Sequence, residues 1–574
     1  MARITPKIKK DVEDFINSSY KEIVTIITPD LLDKKTILKH KPAHIVEEDW
    51  IQNCRWILHS IIQQSIFKEY NNKSGGYVPL YSKALEQNIG KNHKLYLNGL
   101  IKSGIIESDE KYSKSNHVSF GFRLSDKYAT SPLKHLTLTD KFLVRRIRNY
   151  RKKKIEKLKI KANPIAHLVR WLADDGLKID KEAAFEFLER YKRKLTSELS
   201  KRNLKKKYQK KQDTFVLSKY YKIKYQLENF SSNKYISIDD SGGRLYSSIT
   251  GLPSLFRNFL TYNGEELVGF DIKNSQPLHF LTMLKNEFWK SYTPGLTLKR
   301  LDSELWEYLH NKKGYSSTIM FNLLSKSQYS KGFDYYTFKN LVQNGKLYEF
   351  ICNHFFSKHL TKGGIDRFNT RAKTKQEFMH MMYHNPKAPH SKAKAVFADF
   401  EKLFPVEASV MNLMKKRKYN DFPIILQKIE AQMLLHKVAK RVYDINPDIP
   451  LYTIHDSILT TKHHSSTLKS ILEDEYKKFL GFIPQFEKTE YSEHNAWKEI
   501  DKYTKSKIDQ ADIEISVDKV FLNNETPIQK CEHKNFLKDY FKSFDGIDNY
   551  YKNIIPAGLE KVTTKNPFLR KLKK

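Results

Sequence analysis

The spacing of apolar residues divides the chain into parts that predict different kinds of structure. Across residues 1–75 the apolar positions recur at helical intervals, most clearly in DWIQNCRWILHSIIQQSIF (residues 49–67), which predicts amphipathic helices. Between residues 232 and 500, short apolar runs bounded by Gly, Pro and Asn are mixed with helical patterns. This mixture predicts an α+β arrangement in the second half of the chain.

The stretch 78–125 carries a more specific order of elements. Its sequence, VPLYSKALEQNIGKNHKLYLNGLIKSGIIESDEKYSKSNHVSFGFRLS, predicts two helices followed by two strands around a polar loop. A winged helix has this order, with a second helix that can enter a major groove and a loop that can lie on phosphates. Protein–protein modules share the pattern, so both interpretations stay open.

The charge of the chain points to a polyanionic partner. The 574 residues carry a formal net charge of +37 at pH 7, and such an excess repels itself in the folded state unless a polyanion such as nucleic acid compensates it. Two basic stretches, RRIRNYRKKKIEKLKIK (145–161) and KRNLKKKYQKK (201–211), interleave cations with Tyr, Leu and Ile. We predict that Lys205, Lys206 and Lys207 bind nucleic acid; the alternative is a solvated helix face.

The cysteine spacing and the lengths of the apolar runs indicate the cellular compartment in which the protein is expected. Cys54, Cys352 and Cys531 lie far apart and form no CxxC pair, which argues against a disulfide framework or a zinc module. The N-terminus lacks the apolar core of a signal peptide, and no apolar run approaches the roughly 20 residues that span a bilayer. We therefore expect a cytoplasmic protein with no membrane partner. The oligomeric state is open.

Two acids stand at the edges of apolar runs. Asp456 lies in LYTIHDSILTTKHH (451–464), and Asp271 lies in EELVGFDIKNSQPLHFLTML (265–284). A lone Asp between two strands is usually a hairpin turn former. A pair of such acids can instead hold two divalent ions for phosphoryl transfer. Magnesium suits the pair, because it takes a few carboxylates plus substrate phosphates.

A helix between the two acids has a distinctive face. In RFNTRAKTKQEFMHMMYHNP (367–386), Arg371, Lys375, Met379 and Tyr383 recur every fourth residue and so lie along one side. Cations followed by an aromatic ring suit a nucleoside triphosphate, with the charges on the phosphates and the ring against the base. An ordinary surface helix is the alternative.

Together, these segments resemble the palm and fingers of the DNA polymerase I family (family A) and the related single-subunit phage and mitochondrial RNA polymerases, over about residues 240–480. SGGRLYSS (241–248) and LQKIEAQML (426–434) extend the resemblance. It implies that Asp271 and Asp456 bind two Mg2+ ions and act in catalysis with Lys375. The residues that it implies in substrate binding are Arg371, Lys375, Met379, Tyr383 and Gln276, and those in nucleic-acid binding are Arg244, Gln427 and His455.

The chain also departs from the family pattern. Family A DNA polymerases place a Glu after the first Asp to exclude the ribose 2′-hydroxyl, whereas the candidates here are Gln276 or Leu278. Ser457 after the second Asp resembles the RNA polymerase branch, as do Met379 and the pair Ser275 and His279. The short interval from Arg244 to Asp271 resembles the DNA polymerase layout instead. These departures leave the choice between ribonucleotides and deoxyribonucleotides open.

The resemblance and the patterns together predict five parts. They are a helical region (1–75), a winged-helix pattern (76–135), a basic helical region that is thumb-like or binds nucleic acid (136–230), polymerase palm and fingers (231–500) and a polar, basic extension (501–574). The leading hypothesis is a DNA-dependent DNA polymerase that uses a DNA template and primer with nucleoside triphosphates and lacks a proofreading exonuclease. The alternatives are a small single-subunit RNA polymerase or primer-synthesising polymerase, and a non-catalytic replication factor.

Overall fold

The computed structural model describes residues 4–18, 24–67, 76–109, 119–201, 206–232, 234–291, 293–311, 333–355, 358–359, 368, 370–386 and 392–515. Contacts within the chain divide these residues into two units. Unit 1 comprises residues up to 271 together with 432–472 and 487–515, and unit 2 comprises 272–431 and 473–486.

Helices make up most of the described structure. In chain order they are α1 (Pro6–Ser18), α2 (Lys34–Leu38), α3 (Glu47–Phe67), α4 (Ser82–Ile89), α5 (His93–Lys102), α6 (Asp126–Ala129), α7 (Lys141–Ala162), α8 (Ala166–Ala173), α9 (Lys181–Ser200), α10 (Lys206–Glu228), α11 (Ser248–Gly251), α12 (Ser275–Met283), α13 (Asn286–Trp289), α14 (Leu298–Leu301), α15 (Ser303–Asn311), α16 (Phe333–Gln343), α17 (Leu347–Phe355), α18 (Arg371–Met382), α19 (Lys392–Leu403), α20 (Pro405–Met414), α21 (Asp421–Ala431), α22 (Ala439–Ile445), α23 (Ser465–Leu480) and α24 (Glu493–Ile515). Short 3-10 turns span Asn163–Ile165 and Ser254–Phe259, and a π-helical segment, Gln432–Val438, connects α21 to α22.

The strands form antiparallel sheets. They are β1 (Thr25–Pro29), β2 (Val78–Pro79), β3 (Ile106–Ser108), β4 (Gly121–Leu124), β5 (Leu133–Thr137), β6 (Leu177–Ile179), β7 (Ile236–Ile238), β8 (Leu245–Ser247), β9 (Leu260–Tyr262), β10 (Glu265–Ile272), β11 (Tyr452–Ile454), β12 (Ser457–Thr461) and β13 (Phe486–Tyr491). The central sheet has the order β11-β12-β10-β9-β6, and β13 also pairs with β10. Smaller sheets have the orders β1-β5, β2-β4-β3 and β7-β8.

The central sheet belongs to unit 1 and depends on the apolar run of β10. Leu267, Val268 and Phe270 are all at most 3% exposed. β12 is buried along its whole length, which is why its residues read as a continuous apolar and Thr-rich run without alternation. The hydrophobic burial of these two neighbouring strands fixes their register, because a slip by one residue would turn every side chain to the opposite face.

Unit 2 is built around packed aromatic rings. Phe280 on α12 meets Phe338 of α16 and Phe422 of α21 edge to face, with ring centroids 5.8 and 4.9 Å apart. Phe338 in turn packs against Phe404, at 5.3 Å. Edge-to-face pairs of this kind contribute about 0.5–1.5 kcal/mol beyond the area that they bury. They hold α12, α16 and α21 together.

The structure confirms the coarse part of the fold prediction. Helices are mixed with antiparallel sheets, as the α+β pattern predicted. The palm-and-fingers assignment, the winged helix and the five-part domain division stay predictions. Residues 110–118 and 516–574, which include the polar loop and most of the C-terminal extension, lie outside the described residues. Of the helices that the structure describes, none has the length and apolar character needed to cross a bilayer.

Candidate functional site

The second predicted acid lies in a tight hairpin between two buried strands. β11 and β12 pair with Ile454 opposite Ser457, so His455 and Asp456 are the two turn residues. His455 is exposed and adopts a left-handed backbone conformation, with φ of +55°. Asp456 is half-buried. So short a turn fixes Asp456 relative to the end of β12.

The first predicted acid lies directly across the sheet from this turn. β10 pairs with β12 in a register that sets Phe270 opposite Ile458 and Asp271 opposite Ser457. Residues that face each other across an antiparallel pair have Cα atoms about 4.5–5.5 Å apart. Ser457 directly follows Asp456 in the chain. The fold therefore brings Asp271 and Asp456 to the same end of two neighbouring strands.

A tyrosine that the sequence reasoning missed lies on the same face as Asp271. A Cβ added at Gly269 would lie 3.1 Å from Tyr491 Cε2 and 3.3 Å from Ser457 Oγ. Gly269 and Asp271 are two residues apart on β10, so they face the same side of the sheet. Burial raises the pKa of Tyr491, the charge of Arg257 lowers it, and the charge of Asp271 raises it. Tyr491 is thus within electrostatic range of Asp271.

The acid pair has the donor chemistry that Mg2+ prefers. Both groups are carboxylates that are neither fully buried nor fully exposed. No group of three or more His, Cys, Asp or Glu side chains that could hold a metal occurs within the described part of the chain. Mg2+ usually takes one or two carboxylates and completes its shell with water and substrate phosphates. The pair therefore fits a Mg2+ site whose remaining ligands would be water and phosphate oxygens.

His455 contacts the neighbouring ribbon of unit 1. Its ring meets that of Tyr246 on β8 edge to face, with centroids 5.6 Å apart. Tyr246 is two residues after Arg244, which is half-buried and whose carbonyl accepts a hydrogen bond from Asp239 N at 3.1 Å. The structure thus brings together the hairpin and the SGGRLYSS segment, both of which the resemblance places near nucleic acid.

The predicted nucleotide helix is α18 of unit 2. Thr370 caps its N-terminus by accepting from Lys373 N. The buried side of the helix consists of Thr374, Phe378, Met381 and Met382. Arg371, Lys375 and Tyr383 are exposed and Met379 is half-buried. The four-residue periodicity therefore describes a face that is directed away from the core of unit 2.

Each end of this face has a specific partner within unit 2. Arg371 Nε donates to Glu349 Oε1 at 3.0 Å. Tyr383 Oη accepts a hydrogen bond of 2.9 Å from Gln427 Nε2 on α21. Two residues that sequence reasoning selected separately, Tyr383 and Gln427, are thus in direct contact. Nothing in the sequence relates them, because they are 44 residues apart.

A buried lysine supports the end of α18 at Tyr383. Lys415 is 6% exposed, and its Nζ donates to the carbonyls of Met381 and His384, both at 3.2 Å. A cation at the C-terminal end of a helix interacts favourably with the helix dipole. Burial lowers the pKa of Lys415 to about 8. Sequence reasoning did not identify this residue, since KKRK at 415–418 reads as a solvated basic run.

Gln276 belongs to a buried polar network at the start of α12. It is 7% exposed, and its Nε2 donates to Glu430 Oε2 at 3.2 Å. Ser275 Oγ donates to the same oxygen at 2.9 Å. His279 Nε2 lies 3.2 Å from Tyr476 Oη. Gln276, one of the two candidates for the place of the family A Glu, thus lies beside a carboxylate that α21 supplies.

The residue that precedes α12 has an unusual geometry. Asn274 is the N-cap and has φ of +56°, yet its side chain makes no capping hydrogen bond. The side chain is 5% exposed, and neither its Oδ1 nor its Nδ2 has a hydrogen-bond partner among the described residues. Buried polar groups are nearly always hydrogen-bonded, so this amide has capacity for a polar ligand or water.

The predicted lysine cluster is only partly covered by the structure. Lys205 lies outside the described residues, whereas Lys206 and Lys207 form the start of α10. The side chains of Lys206 and Lys207 are not described. Nucleic-acid binding by these three residues stays a prediction.

Comparisons with known proteins give a distant similarity to solved structures. No protein-family model matches the chain, and no curated protein matches it by sequence. The chain is similar to a solved structure described as the POL domain of Pol1 from M. smegmatis in complex with DNA primer-template and dNTP, at 10% identity and a TM-score of 0.35. The match covers 61% of this chain and 73% of that chain. A similarity of this extent does not assign a family or an activity.

Proposed function

We propose that this chain is a template-directed nucleotidyltransferase that transfers a nucleotidyl group with two Mg2+ ions, and specifically a DNA-dependent DNA polymerase of family A type without a proofreading exonuclease. The observation that carries the proposal is the β10–β12 register, with Asp271 opposite Ser457 and next to the Asp456 turn. Two carboxylates at one end of a rigid, buried strand pair suit phosphoryl transfer, which depends on positioned charge.

The residues of unit 1 would act on the metal ions and the primer. Asp271 and Asp456 would hold the two ions, which supply a Lewis acid for the attacking oxygen and for the departing pyrophosphate. Tyr491 would limit the movement of the Asp271 side chain from the same face of the sheet. The exposed ring of His455, held against Tyr246, would contact the primer end. Arg244 would bind the phosphates of the primer–template duplex.

The residues of unit 2 would bind the nucleotide. Arg371 and Lys375 would contact the triphosphate, since both are exposed on one face of α18. The guanidinium carries five N–H groups, and Nε is the one that faces Glu349, which would orient the others. Tyr383 would pack against the base, with Met379 beside it. The backbone N–H groups at the start of α12, next to the Asn274 amide, would add donors for phosphate oxygens.

A small RNA polymerase is the second candidate, and the α12 network favours it. α12 contains no Glu that could exclude a ribose 2′-hydroxyl, and its Gln276 amide donates to Glu430 of α21. The amide oxygen of Gln276 could accept a hydrogen bond from a ribose 2′-hydroxyl, whereas a Glu in family A excludes that hydroxyl. We therefore expect discrimination against ribonucleotides below about a thousandfold, since one lost or gained hydrogen bond changes selectivity about tenfold to a hundredfold.

A primer-extension assay of the full chain tests the proposal. Wild type, Asp271→Asn and Asp456→Asn are compared on DNA and RNA templates with dNTPs and rNTPs in separate reactions. Loss of a metal-binding carboxylate should lower kcat at least about a hundredfold, because the stabilisation is electrostatic and acts in the transition state. Binding of primer–template should change little, since it rests on dispersed cations.

The matched control is Asp448→Asn, which removes an exposed acid from the loop before β11, where Asp448 lies 3.9 Å from Arg170. Full activity in either metal-site variant would refute the proposed palm. Incorporation of rNTPs in preference to dNTPs by the wild type would assign the chain to RNA synthesis. No incorporation by the wild type under any of these conditions would favour the non-catalytic replication factor.

A further inference from the structure

The part of unit 1 between residues 47 and 124 has no role in the proposed chemistry. In chain order it contains α3, β2, α4, α5, β3 and β4. β4 lies between β2 and β3 in an antiparallel sheet. A winged helix has this order of helices and strands and this sheet arrangement, with α5 in the place of the helix that reads DNA.

α5 is held in one orientation by close packing. A Cβ added at Gly99 would overlap the ring of Trp50, so the backbone of α5 approaches α3 as closely as only glycine allows. Trp50 is itself fixed, because its Nε1 donates to Ile37 O at 2.8 Å. Ser82 Oγ and His93 Nε2 are 2.7 Å apart and connect α4 to the start of α5. The side of α5 that faces α3 and α4 is therefore held in place, and this fixes the orientation of the opposite side.

The opposite side of α5 is exposed and basic. Its exposed residues are Lys94, Leu95, Asn98, Ile101 and Lys102. Successive residues of a helix are rotated by about 100°, which sets Asn98 in the middle of this face, between Lys94 and Lys102. The helix sequence, HKLYLNGLIK, contains no acid. The face thus has an amide at its centre and a cation on each side, and it also carries two exposed apolar side chains, Leu95 and Ile101, which could contact thymine methyl groups.

We propose that α5 binds in the major groove of duplex DNA, with Asn98 against a base edge and Lys94 and Lys102 on the phosphates. The charge of the face favours DNA over a protein partner, since it carries two cations and no anion. An Asn side chain pairs with adenine through N6 and N7, so the amide gives the face a means of reading sequence. This binding is independent of primer ends and of the metal site.

The basic helix α7 packs against α4, the helix that precedes α5. Arg146 Nε donates to Asn88 O at 3.1 Å, which ties α7 to α4. Lys152, Lys153 and Lys157 are exposed further along α7. Cations on a helix that packs against the same group of helices can add affinity for the DNA backbone without reading sequence.

The test uses the full chain and duplexes closed by hairpin loops at both ends, so that no primer terminus is present. A library with a randomised central segment is selected by the wild type, and binding is then measured against salt concentration. Asn98→Ala should lose preference for adenine at one position by roughly tenfold or more. Lys94→Gln with Lys102→Gln should lower the log–log salt slope by about two, one for each phosphate contact.

Two controls separate this site from the others. Lys7→Gln with Lys10→Gln removes the same charge from exposed positions on α1 and should leave slope and selectivity at the wild-type values. Asp456→Asn should bind the closed duplexes as the wild type does, even if primer extension fails. Circular dichroism checks that each variant is folded. If both α5 variants kept the wild-type DNA affinity, salt slope and base selectivity, the proposal would be wrong. The exposed face of α5 would then be expected to bind a protein partner.

Discussion

The backbone of His455 allows a prediction that separates stability from activity. His455 has φ of +55° at the first position of the two-residue turn. A side chain in the left-handed region is strained by roughly 1–2 kcal/mol, whereas glycine is not. Glycine loses about 0.5–1 kcal/mol more on folding than alanine does, through its greater chain entropy. We therefore expect His455→Gly to be about 1 kcal/mol more stable than His455→Ala.

The comparison between the two variants isolates the strain. Both lose the edge-to-face contact with Tyr246, so that loss cancels in the difference. Urea denaturation followed by circular dichroism measures the difference in unfolding free energy between the two variants. The dependence of that free energy on urea concentration should be equal in both variants. Equal stability, or a more stable Ala variant, would show that the turn does not hold residue 455 at positive φ.

The activity of the same variants tests the proposed role of the ring. Both lack the imidazole, so both should fall in primer-extension rate by a similar factor despite their different stabilities. The KM for primer–template should rise, since the proposed contact is with the primer. If His455→Gly kept wild-type extension, the ring would have no part in catalysis or primer binding.

Three further predictions concern unit 2. Lys375→Ala should raise the nucleotide KM and lower kcat in steady-state kinetics, because a cation that binds the phosphates stabilises both the ground state and the transition state. The control Gln376→Ala, at the neighbouring exposed position, should leave both constants unchanged. Tyr383→Phe and Gln427→Ala should each raise the nucleotide KM, and their effects should not be additive, because the two side chains share a hydrogen bond. A double-mutant cycle should give a coupling energy of about 0.5–1.5 kcal/mol. Additive effects would show that this hydrogen bond does not contribute to nucleotide binding. Burial lowers the pKa of Lys415 to about 8, below its value in the unfolded chain. The free energy of unfolding of the wild type, relative to Lys415→Met, should therefore increase by about 2 kcal/mol from pH 7 to pH 9.5 in urea denaturation. If this difference did not change with pH, Lys415 would not be a buried ammonium.

The strands that position the two acids were predictable because burial determines them. The central residues of β10 and all residues of β12 are buried, so they stand out in the sequence as short apolar runs bounded by polar residues. The exposed face of α18 followed from its period in the same way. The acids themselves were identified because a carboxylate next to such a run is uncommon without a turn or a ligand to explain it.

The remaining contacts of the site could not be predicted, because they join distant and polar segments. β13 is exposed at four of its six positions, so its sequence, FEKTEY, gives no signal that it pairs with β10. Gln276 and Glu430 are 154 residues apart. Nothing local in the sequence indicates that a carboxylate from another helix lies beside Gln276. Tertiary packing alone determines such pairs.

The turn itself carries an argument about function. A two-residue hairpin is formed with least strain by Asn-Gly, Asp-Gly or Gly-X, and none of these occurs between Ile454 and Ser457. The chain instead has a histidine in the left-handed region, followed by an acid between buried strands. Strain of this kind persists only where the surrounding structure enforces it, and it is concentrated at functional sites. Burial of β11 and β12 would hold a glycine turn equally well. We therefore infer that His455 and Asp456 are present for the chemistry of the imidazole and the carboxylate, and not for the stability of the hairpin.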